Sequence, residues 1–122
     1  MDFQELSYKI TGACFDISHE LGTGFLEKVY EAALVKELKN RGLNTLRQEP
    51  VTVFYKGEPL DVDYRADLIV EGTVIIELKV VKELADVHKA QLLNYMKATH
   101  IRYGMLINFG TPRVEIERLI KD

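Results

Sequence analysis

Thr73-Val74-Ile75-Ile76-Glu77-Leu78-Lys79-Val80-Val81 reads as a β-strand carrying two charges in a run that is otherwise core-forming. Side chains of a strand alternate between its faces, so Glu77 and Lys79 share one face with Ile75, while Ile76, Leu78 and Val80 share the other. Taking an ionised group out of water costs on the order of several kcal/mol unless it is paired, hydrogen-bonded or bound to a metal. A Glu-x-Lys in this setting is therefore either a simple ion pair or part of a metal site.

The preceding segment bears on that choice. Leu60, Val62, Tyr64, Ala66, Leu68 and Val70 alternate with Asp61, Asp63, Arg65 and Asp67, a period of two that predicts a strand over 60–71. Asp67 is then one short hairpin away from Glu77. An even pairing sum puts the odd-numbered residues of both strands on one side of a hairpin. A three-residue loop or a glycine bulge around Val70-Glu71-Gly72 has that parity, and a plain two-residue turn at Glu71-Gly72 does not. With the even sum, Asp67, Glu77 and Lys79 converge. Two convergent carboxylates suit a hard divalent cation such as Mg²⁺ or Mn²⁺, because oxygen ligands match it and its charge relieves their repulsion. A lysine beside them suits hydrolysis, orienting or activating water and stabilising charge that develops on a phosphoryl group.

Working outward from the hairpin, Phe3, Leu6, Ile10, Ala13, Cys14, Ile17 and Leu21 recur at spacings of three and four, the pattern of one amphipathic helix that Gly22-Thr23-Gly24 stops. Leu26, Val29, Tyr30, Ala33, Leu34 and Leu38 predict a second helix ending near Asn40-Arg41-Gly42. Val51, Val53 and Tyr55 then predict a strand, with a turn at Lys56-Gly57-Glu58-Pro59 leading into the 60–71 strand and a meander of three strands in all. A helix is expected from Glu83 to about Thr99, a buried strand over Tyr103–Phe109, and a weak edge strand from Arg113 to Ile120. The expected order is α-α-β-β-β-α-β with a further edge strand, an α/β (α+β) fold with a mixed central sheet flanked by helices.

The 122 residues, 47% of them hydrophobic, suit one domain spanning 1–122. No apolar run approaches the roughly 20 residues of a membrane-spanning helix, and Met1-Asp2-Phe3-Gln4-Glu5 lacks a basic-then-apolar leader, so a cytoplasmic location is expected. One cysteine, Cys14, excludes an intramolecular disulfide and a cysteine-built zinc cage; its apolar helical face marks it as core. A net charge of −3 lacks the global basic footprint of a nucleic-acid clamp, so any polyanion must be held by a local patch.

Asp67 followed by Glu77-Leu78-Lys79 resembles the Asp…(Asp/Glu)-x-Lys motif of the PD-(D/E)XK nuclease superfamily, with Ala66 where proline often stands. The order of helix, three-strand meander, helix and strand resembles that superfamily's restriction-endonuclease-like core. Gly24-Phe25-Leu26-Glu27-Lys28-Val29-Tyr30 resembles the motif that names its GxxExxY family. Gln91-Leu92-Leu93-Asn94-Tyr95 is similar to the Gln-x-x-x-Tyr element of its RecB-like and lambda-exonuclease-like branch. The resemblance runs from about residue 5 to 110. It implies a Mg²⁺- or Mn²⁺-dependent nuclease acting on DNA; beside it, RNA is a further expected partner, and a homodimer or an accessory protein partner goes with a non-catalytic use of the fold. It implies metal binding by Asp67, Glu77, the Leu78 carbonyl and Glu27, with Lys79 as the catalytic lysine. Gln91 and Tyr95, one helical turn apart on one face, would close the site by contacting Lys79 or a phosphate.

Other readings remain beside these. Tyr30 lies on an apolar face and suits packing, Asp61 and Asp63 suit a solvated rim, and His19, His88 and His100 have no metal-ligand spacing. Lys82, Lys89, Lys97 and Arg102 stand near the expected site in sequence and suit either phosphate steering or a solvated face. A non-catalytic module that keeps the fold to bind nucleic acid or protein is the alternative, favoured by small size and acidity.

Overall fold

The computed structural model describes residues 1–122. Helix α1 (Phe3–Leu21) starts at Asp2, whose carboxylate accepts a 2.8 Å hydrogen bond from the Glu5 amide, and it stops at Gly22. Helix α2 (Glu27–Asn40) follows after a short loop and packs beside it. Strand β1 spans Thr45–Pro50, and a small hairpin of β2 (Phe54–Tyr55) and β3 (Glu58–Pro59) precedes β4 (Arg65–Val70) and β5 (Val74–Lys79). Helix α3 (Asp86–Thr99), β6 (Tyr103–Asn108) and β7 (Glu115–Ile120) complete the chain.

The main sheet runs in the order β1-β4-β5-β6-β7, with β5 and β6 parallel and the other pairs antiparallel. Parallel pairing of consecutive sheet strands needs a crossover, which α3 supplies. The expected α-α-β-β-β-α-β mixed-sheet architecture, with its further edge strand, is therefore present. Even-numbered residues of β5, Val74, Ile76 and Leu78, enter the larger core under α1 and α2 with Leu6, Ile10, Tyr30 and Phe109. Ile75 faces the other way and packs with Leu92 and Met96 of α3 and with Leu106. Each face of the sheet is thus covered by helix, and β5 is buried on both sides.

Two strand boundaries differ from the sequence reading. The first strand of the meander is Thr45–Pro50 and not the Val51–Tyr55 run; the second is confined to residues 65–70 of the expected 60–71. Thr45–Pro50 is an edge strand with Leu46 exposed, so no alternation of apolar residues marks it, although the Val51 amide still donates to the Tyr64 carbonyl at 2.7 Å. Residues 54–59 instead pair with one another around Lys56-Gly57, both at positive φ (50° and 81°), the backbone of a two-residue type I′ hairpin. Leu60 and Val62, apolar positions of the expected 60–71 strand, lie outside β4 and are exposed.

Beyond β5 the chain is clamped by Asn108. Its side-chain amide donates to the Val81 carbonyl at 2.9 Å, and its Oδ1 accepts from the Val81 amide at 3.0 Å and the Gly110 amide at 2.9 Å. Gly110 is pressed against that segment: a Cβ there would lie 2.3 Å from the Val81 carbonyl oxygen and 2.5 Å from its nitrogen. Gly110→Ala is expected to destabilise the protein by about 2–3 kcal/mol, since backbone on both sides must shift. Urea unfolding should show a lower midpoint at unchanged m-value; an unchanged midpoint would mean that the two segments separate freely.

Candidate active site

The β4–β5 register runs Val70↔Val74, Ile69↔Ile75 and Leu68↔Ile76, around a three-residue loop of Glu71, Gly72 and Thr73. These pairs share an even sum, and Asp67 and Glu77 are the next residues of the two strands beyond the last pair, with Lys79 two residues further along β5. Past Leu68 the backbone ladder stops. Asp67 fills the opening: its Oδ2 accepts a 2.8 Å hydrogen bond from the Leu78 amide, a donor that a paired strand would otherwise engage. A carboxylate is thereby inserted between the two strands and held next to Glu77.

Glu77 is 7% exposed, a burial that its charge alone would not favour. Its Oε1 lies 3.9 Å from Lys79 Nζ, and its Oε2 is buried with no hydrogen-bond partner. Burial pushes the Glu77 carboxyl up to about 7, against the pull of the Lys79 ammonium and with a further push from the Asp67 and Glu27 carboxylates. Burial also raises Asp67; the Leu78 amide and Gln48 oppose the rise and Glu31 adds to it. Glu27, the first residue of α2, is raised by burial and by Asp67, with Lys79 acting the other way.

The loop before α2 explains how Glu27 comes to this place. Gly24 has φ 108°, a backbone that side chains rarely tolerate, and it turns the chain into the helix. Buried Tyr30 stacks on Phe109 with ring centroids 4.8 Å apart, donates to the Gly22 carbonyl at 2.6 Å and accepts from the Phe25 amide at 3.4 Å. Tyr30 is therefore a packing residue that fixes the loop, as the sequence suggests, and the Gly24…Glu27…Tyr30 spacing sets the start of α2, where Glu27 is exposed to solvent and feels the Asp67 charge.

Two residues at this site were not singled out from sequence. Glu31, 7% exposed, accepts from Gln48 Nε2 at 2.5 Å and pairs with Arg47 at 3.4 Å. Gln48 also reaches Asp67 Oδ1 at 3.4 Å and has φ 51°, a left-handed residue inside β1. Glu31 was findable, because it sits four residues after Glu27 on the same helical face. Nothing in the sequence marks Gln48, whose place depends on a local strand distortion.

Tyr95 of α3 stacks on Tyr64, centroids 4.4 Å apart and planes within 4°. Burial, and next the Glu77 charge, push the Tyr95 hydroxyl up to about 12; the same two causes raise Tyr64. Tyr95 thus closes the Glu77 side of the site, whereas Gln91 is exposed on the same helix. His88 is engaged at the start of α3, where its Nδ1 accepts from the Ala85 amide at 2.9 Å. Asp63 pairs with Arg65 at the surface, and Cys14 is fully buried, its thiol held well above the usual range by that burial.

A hard cation fits this donor set on two grounds. One carboxylate oxygen, Glu77 Oε2, is buried and unpartnered, and three acids are each pushed toward their neutral form by desolvation and by a neighbouring carboxylate: Asp67 and Glu27 act on Glu77, Asp67 and Glu31 on Glu27, and Glu31 on Asp67. The fit is partial, because no three Asp, Glu, His or Cys side chains are gathered closely enough to surround an ion. Asp67 and Glu77 form the two-carboxylate half of a site, and Glu27 stands at its edge.

Residues 4–119 match the family model of the PD-(D/E)XK nuclease superfamily, and the chain belongs to that superfamily. Its fold is similar to that of SSO0001, with a TM-score of 0.61 and 21% identity over 77% of this chain and 49% of that one. The chain thus spans about half the length of SSO0001. An alkaline exonuclease from Laribacter hongkongensis, LHK-Exo, is similar with a TM-score of 0.57 and 12% identity, covering 99% of this chain and 71% of the exonuclease. At such identities the likeness is one of fold. No curated protein matches the sequence. Nucleases of this superfamily generally depend on divalent metals and act on nucleic acid. No helix here is long and apolar enough to cross a membrane.

The raised acids make stability depend on pH with a definite sign. A carboxyl at about 7 in the folded protein and near its ordinary value when unfolded binds more protons folded than unfolded between those limits. Metal-free protein should therefore lose stability as pH rises from about 4.5 to about 7, with Asp67 and Glu27 acting in the same direction. Glu77→Gln should flatten that slope. Chemical denaturation in EDTA across this range checks it, and a wild-type slope of the opposite sign would contradict the assigned crowding.

Proposed function

We propose that this chain is a Mg²⁺- or Mn²⁺-dependent nuclease of the GxxExxY family that hydrolyses phosphodiester bonds in DNA. The observation that carries the reading is the unpartnered Glu77 carboxylate oxygen beside Asp67, with Lys79 as neighbour. Asp67, Glu77, the Leu78 carbonyl and Glu27 would hold the cation. When bound, such an ion polarises a phosphoryl oxygen and lowers the pKa of water.

The chain's own groups divide the remaining tasks. Lys79 stands at the mouth of the acid pair, where its ammonium orients water and balances charge developing on the phosphoryl group. Tyr95, with its hydroxyl pushed up to about 12, stays protonated at neutral pH and serves as a hydrogen-bond donor, not a base. Gln91, exposed one turn earlier, contacts the incoming strand. Gln48 of β1, itself held by Glu31 of α2, donates to Asp67.

The non-catalytic binding module stays as a second reading because no cluster of three ligating side chains surrounds an ion and the net charge is −3. A cleavage panel separates the two. Single-stranded, duplex, branched and RNA substrates with Mg²⁺ or Mn²⁺ should yield cleavage by the wild type and none by Asp67→Ala. Gln91→Ala is expected to slow cleavage by roughly tenfold to a hundredfold, the loss of one polar contact. Failure of the wild type on every substrate would promote the binding module.

Metal binding to the native state alone should also raise the melting temperature. Mn²⁺ should stabilise the wild type and leave Asp67→Asn unshifted, with Glu27→Ala intermediate. Equal shifts in wild type and Asp67→Asn would reveal nonspecific ion effects.

A further inference from the structure

A groove of about 570 Å³ lies between α3 and the β2–β3 hairpin, with Tyr64, the stacking partner of Tyr95, in its wall. Phe54, Tyr64, Asn94, Lys97 and His100 line it. Phe54 is 64% exposed at the hairpin, a large aromatic ring with no cover. Tyr55, its neighbour on the opposite side of the hairpin, is also open, with Lys56 Nζ 5.5 Å from its ring centroid. Lys97 makes no ion pair, unlike Lys89, which is bound to Glu117. Groove and acid cluster share Tyr64 as a common wall, since its hydroxyl feels the Glu77 charge while its ring lines the groove.

We propose that this groove is a base-stacking subsite for single-stranded nucleic acid, delivering a strand past Tyr64 to the Asp67–Glu77 pair. The inference rests on the nuclease reading of that pair. Charge selects the occupant. With 19 acidic against 16 basic residues, the chain cannot draw its affinity chiefly from neutralising phosphates, as duplex binding normally does. Exposed ring faces offer the other source of affinity, and stacking on them requires bases released from a duplex. Phe54 and Tyr64 supply those faces, Lys97 and His100 meet the phosphates, and Asn94 bonds base edges. Stacking is tolerant of base identity, so the subsite carries little sequence preference.

The test is fluorescence anisotropy of the full chain with Ca²⁺ as the only divalent ion, using labelled oligo(dT), oligo(U) and a blunt duplex of equal length. Oligo(dT) should bind at least about tenfold more tightly than the duplex, and Phe54→Ala should weaken it by roughly five- to a hundredfold while leaving the duplex affinity unchanged. Lys97→Ala should reduce the salt slope for oligo(dT) by about one. Oligo(U) binding with the same dependence on Phe54 would also support the subsite, extending it to RNA. Because Phe54 is exposed, the variant's melting midpoint should match that of the wild type, which controls for folding. Equal oligo(dT) affinity for wild type and Phe54→Ala, no measurable single-strand binding, or preference for the duplex would overturn the proposal. Cleavage with Mn²⁺ keeps the two readings distinct. Duplex cleavage with Phe54-independent oligo(dT) binding would sink the subsite and keep the nuclease; Phe54-dependent binding without any cleavage would do the reverse.

Discussion

The Asp67 carboxylate that accepts from the Leu78 amide is where the fold becomes a site. In a continuous antiparallel pair that amide would bond to a backbone carbonyl, and the strands would stay paired to their ends. Here the ladder ends at Leu68↔Ile76 and the side chain replaces the missing acceptor. The substitution satisfies a buried donor and at the same time commits an acidic group to the interior beside Glu77. Both acids are raised by burial, so the arrangement is electrostatically unfavourable without a countercharge. Lys79 supplies part of it at 3.9 Å, and the remaining Glu77 oxygen has no partner. An unfavourable cluster kept in an otherwise well-packed sheet points to function more than to stability.

The surrounding elements keep that cluster in place from three directions. From α2, the Gly24 turn and the Tyr30 hydroxyl set the helix start that carries Glu27, while Glu31 reaches Gln48. From β6, Asn108 ties down the chain just after Lys79, with Gly110 allowing the two segments to touch. From α3, the Tyr64–Tyr95 stack closes the open side. Apart from Glu31, which pairs with Arg47, the groups that brace the cluster are neutral: Tyr30, Gln48, Asn108, Tyr64 and Tyr95.

How much of this was legible in the sequence follows from range. Helices α1 and α2 and strand β5 announce themselves through local periodicity, and the parity of the β4–β5 hairpin follows from counting its loop, which has the three-residue form one expectation required. Asp67, Glu77, Lys79 and Tyr95 are brought together as the spacing and the family motif imply, while Gln91 on the same helix stays exposed. Strand β1 was misplaced because an exposed edge strand needs no apolar alternation, and Val51-Thr52-Val53 is a stronger local β signal than Thr45–Pro50. Gln48 was missed because its role depends on a left-handed backbone opposite Asp67, a tertiary condition. The Tyr64–Tyr95 stack joins residues from a strand and a helix, which no local pattern records.

The central claim is that Asp67 and Glu77 form one cation site at the opening between β4 and β5. Anomalous scattering from crystals soaked in Mn²⁺ tests it most directly, because it locates the ion without assuming activity. The account predicts one strong peak in contact with carboxylate oxygens of both Asp67 and Glu77, absent from crystals of Asp67→Asn. A peak elsewhere on the molecule with none between these residues, in crystals that leave the opening accessible, would contradict it.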